Sequence, residues 1–322
     1  MISVGIIGHR NHAARLLDLV SAADQAEIAA VYHPDYVPPH PKGTSDIGAL
    51  FDMDAVMIAS PNHTHADYLD RFSKDFGGYI FCEKPAVSRK EDLDRLDIDP
   101  SRAFINFNYR HSGFAQAVTD ARRDGRLGKP IQFSASMTQG LAFKADYPAS
   151  WRADAAQHLH GVTETKAIHQ IDLAFHIFGA PVDLRYTPSN QSGNGTAYDT
   201  CSVDLSFEGG ASAHVFASYA GTLTTHLQLL GTNGRIEYRD GVLSCFSPRN
   251  TFDDRGYFAP PPETILRDYR NGPEDMYQES LRRAVAYFLD TAQSGGEFPE
   301  SEMQASLNST EFVLNLPTAT GN

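Results

Sequence analysis

Over the first hundred residues, short apolar runs alternate with segments whose apolar positions recur at helical spacing. Residues 2–7 (ISVGII), 28–32 (IAAVY), 55–59 (AVMIA), 79–82 (YIFC) and 103–107 (AFINF) are brief and rich in Val, Ile or aromatics. Such runs predict strands buried on both faces of a parallel sheet. Residues 13–23, 63–72 and 90–96 lie between them as expected helices. Strand–helix alternation of this kind predicts a doubly wound α/β domain. One link departs from it: residues 33–43 read HPDYVPPHPKG, and prolines at this density exclude an ordinary helix.

After about residue 125 the texture changes. Residues 132–139, 201–207, 211–218, 224–230, 235–238 and 242–246 predict strands, with Gly209-Gly210, 232–234 and Asp240-Gly241 between several of them as turns. Short strands joined by glycine-containing turns predict a largely antiparallel sheet. Two amphipathic helices are expected with it, over 164–178 and 274–292, while 189–196 and 259–262 read as loops and not as domain linkers. The fold class expected is therefore α/β: an N-terminal Rossmann-type doubly wound parallel sheet over 1–120, then an α+β domain with an open, largely antiparallel sheet over 121–322.

Composition narrows the setting. The chain has 322 residues, a usual length for two domains. Lys and Arg number 27 against 40 Asp and Glu, and the formal charge of −13 argues against nucleic acid or an anionic membrane as the main partner. Cys82, Cys201 and Cys245 are widely spaced with no CxxC pair, which predicts neither a disulfide framework nor a cysteine zinc site and suits a reducing cytoplasm. MISVGIIG runs straight into a polar turn, unlike a secretory leader, and no stretch approaches the roughly 18 apolar residues a membrane span requires.

The first strand leads into Gly8-His9-Arg10-Asn11-His12-Ala13 and a helix. In a dinucleotide-binding turn, glycines permit the tight bend and the approach of backbone to pyrophosphate, and the helix start supplies N–H groups. Against the G-x-G-x-x-G/A spacing, Gly8 fills the first place and Ala13 the third, with Arg10 at the second. The turn reads equally as an ordinary βα turn, and Arg10 either obstructs a pyrophosphate or pairs with a phosphate. The second strand ends in His33-Pro34, where an acidic residue would take the ribose hydroxyls, with Asp35 two places on. Arg10 and His33 together are compatible with a 2′-phosphate, so NAD and NADP both stay open.

Three further segments fall at carboxyl ends of expected strands, where open α/β sheets bind ligands. They are Ser60-Pro61-Asn62-His63-Thr64-His65, Phe81-Cys82-Glu83-Lys84-Pro85 and Phe107-Asn108-Tyr109-Arg110. His63 and His65 have no carboxylate or cysteine at ligand spacing, so no metal site is expected. A fourth segment, Gly161 to Asp172, carries His169 at the start of the expected second-domain helix. With Gly125-Arg126-Leu127-Gly128-Lys129-Pro130 and Leu230-Gly231-Thr232-Asn233-Gly234-Arg235-Ile236, they resemble, in order and over essentially the whole chain, the Gfo/Idh/MocA (glucose–fructose oxidoreductase / inositol dehydrogenase) family.

The resemblance implies an NAD(P)-dependent oxidoreductase moving a hydride between nicotinamide and a secondary alcohol or ketone of a sugar, polyol or sugar nucleotide. It implies Lys84 as the proton shuttle, a role open to a lysine whose pKa is drawn down from about 10.4. His169 would hydrogen-bond the reacting oxygen, with Asp172 one turn on to fix its tautomer. Gly8, Arg10, Asn11, His12, His33, Ser60, Pro61, Asn62, His65, Glu83 and Lys84 would meet the cofactor. Asn108, Tyr109, Arg110, Thr165, His169 and Asp172 would meet the substrate, Arg110 through a carboxylate or phosphate. Trp151-Arg152 would border the cleft, and a homodimer or homotetramer would form through the C-terminal sheet. One position departs from the family pattern: an Asp is usual four residues before the histidine, and Thr165 stands there. Threonine hydrogen-bonds a hydroxyl but brings no carboxylate, and Glu164 next to it points about 100° away on a helix. Thr165, His33 and the degenerate turn favour an alternative, a non-catalytic ligand- or dinucleotide-sensing regulator on the same fold.

Overall fold

The computed structural model of the protein describes residues 1–318. It separates into two compact units, Met1–Phe107 with Arg282–Asn315, and Asn108–Leu281 with residues 316–318.

The first unit is built on β1 (Ile2–Ile7), α1 (His12–Ser21), β2 (Ala26–Tyr32), β3 (Gly43–Thr44), β4 (Ala55–Ile58), α2 (His65–Asp75), β5 (Tyr79–Glu83), α3 (Lys90–Leu93) and β6 (Ala103–Asn106). The strands form one parallel sheet in the order β3-β2-β1-β4-β5-β6, so the doubly wound α/β expectation is met. Val4, Ile6, Val56, Met57, Ile58 and Phe81 are fully buried, as strands covered on both faces require. α1 turns Ala13, Leu16 and Val20 inward, and α2 turns Leu69 and Phe72 inward. The proline-rich link carries no helix and ends in β3. The helix expected over 63–72 starts as a 3-10 turn at Asn62–Thr64 before α2, and that over 90–96 is a single turn.

The second unit contains α4 (Gly113–Arg123), β7 (Pro130–Thr138), α5 (Ile168–Phe178), β8 (Pro181–Ser189), β9 (Thr200–Phe207), β10 (Ser212–Ser218), β11 (Thr224–Gly231), β12 (Arg235–Arg239), β13 (Val242–Phe246) and β14 (Glu263–Asp268). Its sheet of eight strands runs β14-β13-β12-β11-β7-β10-β9-β8, and every pair is antiparallel except β7 with β10. Side chains alternate inward and outward: Phe133, Ala135 and Met137 of β7 are buried, while Gln132, Ser134 and Ser136 are half-buried on the other face. α5 lies over β7 and β10. It is not amphipathic as expected, because every residue from Ile168 to Ala174 is buried.

Two helices end the chain, α6 (Met276–Ser294) and α7 (Glu300–Leu314). From Arg282 onward they belong to the first unit, for a visible reason: Phe288 packs 5.3 Å from Phe81 and 6.0 Å from Phe298, and the Tyr79 hydroxyl donates to the Gly296 carbonyl at 2.8 Å.

Candidate active site

The order of the first sheet reverses at β1, which lies between β2 and β4, and ligands of open α/β sheets bind outside the carboxyl ends at such a switch point. β1 ends in Gly8 at φ +106°, where a Cβ would come within 3.0 Å of the Ala59 carbonyl oxygen and 3.3 Å of the Ala13 Cβ. Asn11 also has positive φ, at 50°, immediately before α1, and no side chain caps that helix. Uncapped N–H groups and the positive end of the helix dipole favour an anion there. After β4, the buried Asn62 amide nitrogen has no hydrogen-bond partner among the described residues. A buried donor left unpaired costs about 1–3 kcal/mol, so its place at the switch point suits a ligand acceptor. These features fit a dinucleotide.

Around the turn, four side chains cluster. The Tyr36 ring stacks on His33 at 4.0 Å and meets His9 edge-on at 5.5 Å, and the Arg10 guanidinium lies over it at 5.5 Å. Arg10 Nε donates to His9 Nε2 at 3.3 Å. Burial, with the charges of Arg10 and His33, lowers the His9 pKa and keeps that ring neutral. Asp35 reaches only the edge of the cluster, 82% exposed, with its carboxylate 3.9 Å from His33. Thus Arg10 sits against the rim of the turn, and His33 stands beside it.

The frame behind Lys84 is tightly held. Glu83, at the end of β5, is buried and accepts from Asn106 Nδ2 at 2.6 Å, and its carboxylate meets His12 Nε2 at 2.7 Å. Burial raises the Glu83 pKa, but His12, Asn106 and Lys84 outweigh it and hold the carboxyl below its ordinary value. His12 and Glu83 are both expected site residues, and the structure brings them together. His65 is fully buried, with Nδ1 2.8 Å from the Pro85 carbonyl and Nε2 3.0 Å from the Ser60 carbonyl. Burial lowers its pKa, and the two carbonyls offset only part of that. A neutral imidazole carries one N–H, so His65 donates to one of these carbonyls while its ring packs between the Ser60 and Pro85 segments. Lys84 is half-buried at their junction, and its bond to Pro85 is cis.

In the second unit, β7 is followed by loops that lead to a π-helical turn, Thr163–Ala167, ahead of α5. π turns of this kind concentrate at functional sites. Glu164 is turned into the interior, accepting from the His160 N–H at 2.7 Å and lying 3.6 Å from His158 Nε2. Thr165 points elsewhere: its hydroxyl hydrogen-bonds the hydroxyl of buried Tyr219. The His169 ring packs 5.1 Å from Tyr109, so the structure brings these two expected substrate residues together. Arg110 holds Asp172 in a bidentate pair, Nε at 2.9 Å, with the guanidinium side chain only 9% exposed. Asp172, expected to orient His169, thus pairs with the arginine expected to meet a ligand anion. Asn108 donates to Ser280 at 2.6 Å. Sequence reasoning missed His9, Tyr36, Asn106 and Tyr219. Asn106 carried a signal, as a polar residue closing an apolar strand run; Tyr219 is 54 residues from Thr165 and carried none.

The comparisons with known proteins agree with this architecture. Residues 2–97 match the oxidoreductase family with an NAD-binding Rossmann fold, and residues 115–237 match the GFO/IDH/MocA C-terminal domain. An inositol 2-dehydrogenase from Rhizobium meliloti is 28% identical over 270 residues, covering 79% of this chain and 75% of that protein. Among solved structures, a levoglucosan dehydrogenase in complex with NADH and levoglucosan has a TM-score of 0.75 at 20% identity, covering 97% of both chains. An NAD-binding oxidoreductase from Klebsiella pneumoniae has a TM-score of 0.77 at 17% identity, covering 97% of this chain and 94% of that one. At these identities the structural likeness speaks for the fold.

Proposed function

This chain belongs to the GFO/IDH/MocA oxidoreductase family, and from that premise we propose that it moves a hydride between a nicotinamide dinucleotide and a secondary alcohol or ketone of a sugar, polyol or sugar nucleotide. The dinucleotide supplies or accepts the hydride. The chain's own part is to bind it, to hold the sugar, and to move the proton that accompanies each hydride. Gly8, Asn11 and the start of α1 take the pyrophosphate. Asn62 donates to the ribose side, and Ser60 and Pro61 shape the wall beside it.

Lys84 carries the proton at the substrate oxygen, and His169 hydrogen-bonds that oxygen. The observation that carries this reading is the frame around Glu83, where His12, Asn106 and Lys84 keep a buried carboxylate ionised immediately before the shuttle lysine. An ionised Glu83 fixes the end of β5, and His65 fixes the far side of Lys84 through Pro85. Tyr109 supports His169, while Arg110 and Asp172 brace the start of α5. Thr165, its hydroxyl held by Tyr219, lines the sugar side without a carboxylate.

The reading extends to the setting. Three buried free cysteines support a reducing cytoplasm, and the net charge of −13 supports a small-molecule partner over nucleic acid. Among the described residues, no helix is long and apolar enough to cross a membrane. The outward face of the eight-stranded sheet supports assembly into a homodimer or homotetramer.

Two measurements test the proposal. Titration with NADH or NADPH should show energy transfer from protein to nicotinamide, and its absence for both would refute dinucleotide binding. Lys84→Met should lower kcat by about 100-fold or more, the scale of general acid–base catalysis, while dinucleotide affinity changes little. Turnover at the wild-type rate would remove Lys84 from the shuttle role.

A further inference from the structure

The π turn ahead of α5 leads, through Thr165, to a cation. Tyr219 is fully buried just after β10; its hydroxyl bonds Thr165, and the Arg152 side chain lies near enough to favour its ionised form. The Arg152 guanidinium is half-buried and stacked over the Trp151 ring at 4.3 Å. An indole covers one face of a guanidinium and leaves its N–H edge available. Among the described residues, no carboxylate lies within ion-pair distance of Arg152. Nearby Asp199 is occupied elsewhere, accepting from the Gln191 and Ser192 backbone N–H groups at 2.8 Å and from Thr200 at 2.9 Å.

A guanidinium that loses part of its water gains from an acid partner, and among the described residues none meets Arg152, whose place is fixed by an indole with a tyrosine nearby. We infer that Arg152, held over Trp151 and close to Tyr219, binds a carboxylate on the substrate, so that the preferred sugar or polyol is an acid of the uronate or aldonate type. The inference rests on the oxidoreductase reading, because it assigns the substrate class of that reaction. One guanidinium matches the single charge of a carboxylate. A phosphomonoester dianion would leave one charge uncompensated, which selects the carboxylate between the two oxyanions an arginine can grip. Thr165 fits the same picture, since a neutral hydroxyl at that place does not repel an acid as a carboxylate would.

The test is calorimetric binding to the full-length protein, with and without saturating NAD(P)+, of three matched probes in the gluco and galacto series: the neutral aldose, its uronate and its 6-phosphate. The uronate should bind about 10- to 100-fold more tightly than the aldose, the scale of a charge-assisted hydrogen-bonded pair, and more tightly than the phosphate. Arg152→Met should bring the uronate-to-aldose ratio close to one, and Arg152→Lys should restore part of it. Circular dichroism of both variants separates lost binding from lost folding, and Arg152→Lys keeps the test decisive where Arg152→Met does not fold. An aldose bound as tightly as its uronate, a uronate preference that survives Arg152→Met, tighter binding of the phosphate, or no binding of any acid overturns the inference. Failure of the dinucleotide to bind is read separately in the same titrations and strikes the oxidoreductase reading.

Discussion

Glu83 is a carboxylate where burial alone would favour the neutral acid, and it stays ionised because His12, Asn106 and Lys84 surround it. Its folded pKa is below its unfolded one, so its contribution to stability is present above the unfolded carboxylate range and is lost as pH falls through the folded value. Glu83→Gln should therefore lower Tm at pH 7, by the equivalent of about 1–3 kcal/mol for a broken charged hydrogen-bond set, and should flatten the fall of Tm between pH 5 and 3. Thermal melts across that range check it, and an unchanged acid limb would show that the carboxylate is not linked to folding. At the turn, no acid among the described residues lies within ion-pair distance of Arg10, and Asp35 beside His33 is 82% exposed, which has its own consequence. A 2′-phosphate adds charge that a guanidinium can grip, whereas a ribose 2′-hydroxyl gains nothing comparable there. NADPH should bind about 10-fold more tightly than NADH, and Arg10→Ala should erase most of the difference. Equal affinities for the wild-type protein would dismiss the idea.

At the scale of elements, the π turn runs directly into α5, and its entry is set by Gly161. That residue has φ +54°, and a Cβ on it would lie 1.9 Å from the Tyr198 carbonyl oxygen. Backbone cannot yield there cheaply, because the Val162 N–H donates to the same carbonyl at 2.8 Å. Gly161→Ala should cost at least about 1–3 kcal/mol in unfavourable backbone conformation, with the clash in addition. A fall in Tm with dinucleotide binding retained is the expected result; an unchanged Tm would mean the turn accommodates the methyl group. The same scale explains what could be read from the chain. Buried strands such as β1, β4 and β5 announce themselves by apolar runs. β8 and β14, which went unrecognised, are the two edges of the second sheet, and their mostly exposed or half-exposed residues show no alternation. α7 escaped because it buries Ser306, Ser309 and Thr310 beside Met303 and Val313, so its inward stripe is not apolar. α4 was also passed over, although Ser112 as N-cap and the inward Phe114, Ala117, Val118 and Ala121 give it a helical pattern. Of the site, local segments were legible as motifs, but the pairings His12–Glu83, Arg110–Asp172 and Thr165–Tyr219 join residues far apart in the chain. Those pairings follow from topology, which no local pattern encodes.

For the molecule as a whole, the unresolved matter is what the outward face of the eight-stranded sheet does. Its inward face is filled by Phe133, Val203, Leu205, Val215, Leu227 and Leu229. The outward face carries Ser136 of β7 between Phe216 of β10 and His226 of β11 in register, and farther along Gln132 beside Leu230. Leu230 is 40% exposed and Phe216 is half-buried, flanked by the His214–Asp204 pair at 2.7 Å and the His226–Glu237 pair at 3.3 Å. Such a mixture of a few apolar anchors in a polar, hydrogen-bonding surround has the composition of an interface and not of a core. Two-fold pairing of identical faces would bury the anchors of both copies at once, because an isologous contact repeats each residue. Light scattering on the eluting protein at micromolar concentration should report a dimer or tetramer. Phe216→Glu with Leu230→Glu places four carboxylates in each two-fold contact and should weaken assembly by at least about 100-fold, leaving the fold intact by circular dichroism. A wild-type monomer, or a double variant that assembles as before, would take the sheet face out of the assembly. Since −13 charges per chain oppose association, assembly through this face should also strengthen as salt rises, until screening is complete near the Debye length of about 8 Å at physiological ionic strength.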